Sequence, residues 1–176
     1  MQLATHLART GGVSQGSVMS EHGQSLRVQV LHPGDVAFGE RGDRLETLLG
    51  SCVAIILTDP RRTQAVMCHF VHSRPSPAND PHNAHFAEVA LGVMYATLVK
   101  RGIAPKRCEA YVYGGGNMFP DMSSSSHVGE RNARWALDAL AHDKVQVVHH
   151  DLGGPTYRRV AWTVGAQAPL VTRVPI

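Results

Sequence analysis

The sequence predicts an α+β fold, a layered α/β sandwich of mostly antiparallel β-sheet with two main helices. Three observations lead there: extended segments that pair off as hairpins, two well-separated stretches with the period of a helix, and no regular alternation of strand and helix of the kind a parallel doubly wound sheet requires. In a chain of 176 residues, 43% are hydrophobic and 18% charged. One compact domain is expected, because about 150 residues already suffice to bury roughly 70% of the unfolded surface.

Residues 1 to 25 carry Gly, Ser, Gln, Thr and His without an apolar period and are expected to form a flexible tail, leaving 26–176 as the folded domain. From Leu26 the apolar residues Leu26, Val28 and Val30 stand two apart, as in a strand with one buried face, and His32-Pro33-Gly34-Asp35 then supplies a turn. An extended piece around Glu46-Thr47-Leu48 leads through Gly50-Ser51 into Cys52 to Thr58. Asp59-Pro60 breaks that strand, and Gln64 to His72 reads as the second arm of a hairpin. The proline-rich stretch Ser73 to Pro81 is loop chemistry and delivers the chain to a helix expected from about Asn83. Phe86, Val89, Ala90, Val93, Met94, Thr97 and Leu98 form its apolar stripe, with Lys100-Arg101 at the negative end and Gly102 as a stop. A strand at Cys108–Tyr113, the run Gly114-Gly115-Gly116 and a Ser-rich loop from Ser123 to Ser126 follow. A second helix from about Val128 places Ala133, Ala136, Leu137, Leu140 and Ala141 inward, and strands near 145–149, 159–164 and 170–174 close the chain.

Composition excludes several classes of function. The longest apolar run, Cys52 to Leu57, falls far short of the roughly 18 residues of a membrane span. Nothing at the N-terminus resembles a secretory leader, so a cytoplasmic location is expected. A net charge of +3, spread thinly, does not supply the clustered Lys and Arg that nucleic-acid backbones demand. Cys52, Cys68 and Cys108 are an odd set and are expected to be free thiols.

The chemistry concentrates at Leu48-Leu49-Gly50-Ser51-Cys52-Val53. Gly-Ser before a cysteine at the start of a strand puts a thiol at a turn where backbone amides can receive an oxyanion. Seventeen residues on, His69 lies on the partner arm, where imidazole and thiol can meet across neighbouring strands. A free thiol of pKa about 8.5 is only about 3% ionised at pH 7. An adjacent imidazolium is expected to lower it, and two pKa units correspond to about 2.7 kcal/mol.

The string LLGSCVA, the Cys-His-Phe strand, YGGGNMF at Tyr113–Phe119, VGERNA at Val128–Ala133 and DLGG at Asp151–Gly154 occur in order over about residues 26–165. In these motifs and their spacing the chain resembles the CheD family of chemoreceptor glutamine deamidases. The resemblance implies a three-layer α/β fold similar to the catalytic domain of deamidating bacterial toxins. It also implies hydrolysis of selected receptor glutamines to glutamate, chemoreceptor cytoplasmic domains as protein substrate, and a CheC-type phosphatase as a partner. Cys52 matches the family nucleophile and His69 its base. The family's third member is a threonine expected six positions before the cysteine. Here Glu46 stands at that position and Thr47 follows it. Since one residue reverses the face of a strand, either the turn absorbs the offset and Thr47 orients His69, or Glu46 or a backbone carbonyl takes the part; Thr47 is the choice.

In the reaction so implied, Cys52 attacks the carboxamide carbon, amides around Gly50, Ser51 and Cys52 hold the oxyanion, and His69 protonates the departing nitrogen. Water then cleaves the thioester, and no metal or organic cofactor is called for. Gly115 and Asp151 are candidates to line the substrate cleft, although tight-turn chemistry also explains both. Glu130 suits the positive end of the second helix. Two rival readings remain. One is a zinc protein using Cys68, His69, His72, His82, His85, His149 and His150, which lacks any paired Cys-x-x-Cys motif. The other is a catalytically idle module that docks the phosphatase.

Overall fold

The computed structural model describes residues 12–19, 25–120 and 126–176. Its strands are β1 (Ser14–Met19), β2 (Ser25–Leu31), β3 (Val36–Glu40), β4 (Arg44–Leu49), β5 (Val53–Thr58), β6 (Gln64–Phe70), β7 (Glu109–Gly114), β8 (Gln146–Leu152), β9 (Thr156–Thr163) and β10 (Leu170–Pro175). Its helices are α1 (Ala87–Lys100) and α2 (Ser126–His142). One five-stranded sheet runs β1-β2-β4-β9-β10 and the other β3-β6-β5-β7-β8. Pairing is antiparallel except between β2 and β4 and between β7 and β8.

The layering follows from where apolar side chains go. Leu45 and Leu49 of β4 and Val160 and Trp162 of β9 meet Ala54, Ile56, Met67, Tyr111 and Tyr113 of the second sheet in one buried cluster. The opposite face of that second sheet, with Val53, Ile55, Leu57, Cys68 and Phe70, packs against Ala90, Met94 and Leu98 of α1 and Ala136 and Leu140 of α2. The order is therefore sheet, sheet, helices. Being covered on both faces, β5 is buried at every position, which is why its sequence is an unbroken apolar run rather than an alternation. β4 keeps the alternation, with Leu45, Thr47 and Leu49 turned inward and Arg44, Glu46 and Leu48 not.

Several boundaries differ from those expected. Residues 14–19, which patterning leaves outside the domain, form edge strand β1 antiparallel to β2. All six are exposed, so pairing rather than burial orders them and no apolar period marks them. Helix α1 begins at Ala87 instead of Asn83, because the Asn83 carboxamide accepts from the His85 amide at 2.9 Å and donates to Asp80 at 2.8 Å. Those bonds hold a turn where a helix would start. His72 lies beyond β6 and forms an isolated bridge with Phe86. Ala141, expected inward on α2, is exposed. Ser123 to Ser125 of the expected Ser-rich loop lie outside the described residues, while Ser126 already belongs to α2.

Candidate active site

The register of the second sheet places His69, Ala54, Tyr113 and Asp151 side by side across β6, β5, β7 and β8. Cys52 precedes Ala54 by two residues and is half-buried against the inter-sheet cluster that holds Ala54. It therefore stands diagonal to His69 on the same face, an arrangement in which side chains of neighbouring strands can interact. From the other sheet, β4 contributes Thr47, paired with Leu31 on one side and Val160 on the other.

Thr47 and His69 are joined directly. Thr47 is 2% and His69 3% exposed, and Thr47 Oγ1 lies 2.9 Å from His69 Nδ1 and 2.9 Å from the Leu31 carbonyl oxygen. The hydroxyl has one proton, which it donates to Leu31, so it accepts from His69 Nδ1–H. That fixes the tautomer and leaves Nε2 with its lone pair. His69 Nε2 is buried without a hydrogen-bond partner in the structure, as a base awaiting a proton would be. Glu46 points the other way and binds the Arg44 side chain. Of the two candidates for orienting the histidine, Thr47 is the one in contact.

Electrostatics revise the expected activation of the thiol. Burial pushes Cys52 above the ordinary thiol value, with a hydrogen bond from its own amide pulling the other way. Burial likewise draws His69 down to about 4, opposed by the Leu31 carbonyl and reinforced by His32 and His85. The free site thus holds a neutral thiol and a neutral imidazole at pH 7, not the thiolate beside imidazolium that the sequence suggested. Burial, which disfavours the charged form of either group, is the leading cause for both. The other two thiols are further out of reach, with burial raising Cys68 to about 12 and Cys108 to about 11.

The turn before Cys52 is anchored by its carbonyls. Gly50 O accepts from Gly116 N–H and Cys52 O from Gly115 N–H, each at 2.8 Å. Ser51 O accepts from the Asn132 carboxamide at 3.1 Å. Gly50 is packed so closely by Met118 and Tyr157 that a Cβ there would fall 2.9 Å from the Met118 sulfur. Gly115 takes a φ of +62° and faces the backbone of Gly129, both of which demand glycine. It also opens a cleft of about 360 Å3 lined by Asn117, Glu130, Ala133, Leu152, Gly153 and Gly154 as well.

Asp151 has other surroundings than the cleft. Its carboxylate is held by Arg173 at 2.8 Å and by the buried Arg158 at 2.9 Å. Those bonds, Arg173's first, keep its carboxyl below the ordinary range. The contact with Arg158 joins the two sheets. Glu130 is exposed and pairs with Arg134 one turn on. Among the described residues no group of three or more His, Cys, Asp or Glu side chains is placed to hold a metal ion, and no helix is long and apolar enough to cross a membrane. Sequence reasoning missed Asn132; its spacing of four and eight residues from Ala136 and Leu140, on the apolar stripe of α2, was the available signal.

The chain matches the family described as CheD chemotactic sensory transduction over residues 72–172. It is 34% identical over 141 residues to a probable chemoreceptor glutamine deamidase CheD 2 of Albidiferax ferrireducens, covering 76% of this chain and 80% of that one. It is 33% identical over 134 residues to a probable chemoreceptor glutamine deamidase CheD of Pseudomonas syringae, covering 74% and 76%. A protein of the same description from Methanococcus vannielii is 32% identical over 127 residues, covering 72% and 82%. A match across more than half of the chain, with relatives of this identity along most of it, means that the protein belongs to the CheD family of chemotaxis proteins.

Proposed function

We propose that the protein deamidates selected glutamine side chains of chemoreceptor cytoplasmic domains, with Cys52 as nucleophile, His69 as general base and acid, and Thr47 orienting His69. The observation that carries this reading is the buried Leu31–Thr47–His69 chain, which leaves one unpartnered imidazole nitrogen on the face and at the strand end where Cys52 stands. An imidazole fixed at Nδ1 and free at Nε2 has the form general-base catalysis requires.

Because the resting groups are neutral, proton transfer accompanies attack. Cys52 Sγ bonds to the carboxamide carbon while His69 Nε2 takes the thiol proton. Negative charge moves to the carboxamide oxygen, where the Cys52 amide and its neighbours in the turn receive it. His69 then gives that proton to the nitrogen, the carbon–nitrogen bond breaks, and ammonia departs. Water, deprotonated by the same Nε2, adds to the thioester; the sulfur leaves with the proton and glutamate remains. The balance is one water consumed and one ammonia released, with no redox or metal step. A cytoplasmic setting and a CheC-type phosphatase partner belong to the same proposal.

The test is ammonia release from a purified receptor cytoplasmic fragment rich in glutamine. Wild-type protein is expected to release ammonia in proportion to time and enzyme, and Cys52→Ala and His69→Gln are expected to release none above background. Equal release by wild type and Cys52→Ala would exclude the mechanism. A wild type that releases none, with Cys52 alkylated no faster than Cys68 or Cys108, would favour the idle docking module.

A further inference from the structure

Asn132 is 1% exposed on α2, on the helix side of the sheet whose other face carries Cys52 and His69. Its Nδ2 donates to the Ser51 carbonyl at 3.1 Å and to the Val71 carbonyl at 2.8 Å. A carboxamide nitrogen has two protons, and both are used. One fixes the residue before the nucleophile and the other the residue two beyond the base, so a single side chain ties together the two segments whose relative placement the reaction needs.

The bond to Ser51 has a directional consequence. The Ser51–Cys52 peptide is trans, and in a planar trans unit the carbonyl and the following N–H point in opposite directions. Holding the Ser51 oxygen toward α2 sends the Cys52 N–H away from the helices, to the inter-sheet side where the Cys52 side chain packs. The carbonyls on either side are held by backbone amides of Gly116 and Gly115; only the central one depends on a side chain. Resting on the deamidase reading, we infer that Asn132 is a positioning residue that aims the Cys52 amide at the oxyanion of the deamidation intermediate.

The experiment compares Asn132→Asp, nearly isosteric but presenting a carboxylate to two carbonyl oxygens, and Asn132→Ala, which removes both donors, with wild type and with Leu140→Ala. Leu140 is buried in the core beneath the same helix and serves as a destabilised comparator. For each protein, kcat and KM for receptor deamidation are measured beside the rate at which iodoacetamide alkylates Cys52. Alkylation displaces iodide at a saturated carbon and develops no oxyanion; it is compared as the rate of the fully ionised thiol at high pH, because the Cys52 amide also bonds its own sulfur and so bears on how readily that thiol ionises. Both Asn132 variants are expected to lose about 100-fold or more in kcat, the range for a lost oxyanion donor. KM and alkylation should stay within about threefold of wild type, and Leu140→Ala should keep its kcat within the same margin. Unchanged kcat in either Asn132 variant, alkylation falling in parallel with kcat, or an equal loss in Leu140→Ala would overturn the inference. An active wild type with active Asn132 variants defeats this inference alone, whereas a wild type that alkylates but never deamidates defeats the deamidase reading with it.

Discussion

His69 links the chemistry of the site to the stability of the protein. Its pKa is about 4 when folded and about 6.5 when unfolded. Between those values the unfolded chain binds a proton that the folded chain refuses, so stability falls as pH drops from about 6.5 towards 4 and is fully present above that window. The difference is worth about 3 kcal/mol. Urea unfolding at pH 7 and pH 4.5 should therefore show a larger loss for wild type than for His69→Gln; parallel losses would mean that the imidazole is not held neutral by burial. For Cys52, half-buried and raised, alkylation should outpace that of buried Cys68 and Cys108 and keep accelerating through and beyond the ordinary thiol range near 8.5. A plateau below pH 8 would restore the ion pair that the sequence suggested. That Cys52 and His69 fall on neighbouring strands was legible because a glycine-serine turn and a hairpin partner are local signals. Choosing Thr47 over Glu46 depended on which face of β4 is covered, and that is a fact about the other sheet.

At the level of elements, the two sheets are held together, at the end that carries Cys52 and His69, by charge as well as by apolar contact. Arg158 on β9 is 2% exposed, and one carboxylate, Asp151 on β8, serves both it and Arg173. Asp151→Asn leaves a buried guanidinium short of its counter-ion, a class of change that costs about 3–5 kcal/mol. A fall in Tm on the order of 10 °C is expected for a domain of this size, and calorimetry showing less than about 2 °C would assign the pair little structural weight. Sequence spacing suggested a cleft-lining part for Asp151. Its partners come from β9 and β10, later in the chain, and no local pattern announces a pairing across sheets. The helical stripe of α1 was legible over Phe86 to Leu98 because burial there follows the helix period, whereas its first turn was displaced by the Asn83 side chain.

For the whole molecule, Cys52, His69 and Thr47 gather at one end of the seam between two sheets, while β1 is an edge strand with every residue exposed. A chain beginning at Ser25 is therefore expected to fold and to retain at least about half of the deamidation rate, since removing an exposed edge strand forfeits little apolar burial. Loss of all activity in a folded truncated chain would place β1 in the working machinery. The layered α+β class was legible from hairpins and two separated helices; the order of the layers and the edge strand were not, the latter because backbone pairing without burial leaves no apolar rhythm. The central claim is that a thiol on this seam converts a receptor carboxamide to a carboxylate. Mass spectrometry of a receptor cytoplasmic fragment tests it most directly: replacing an amide nitrogen with oxygen adds about one dalton at each modified glutamine in this reaction class. Wild type should produce that gain at defined glutamines, and Cys52→Ala should produce none. The same gain with both proteins, or with neither, would contradict the account.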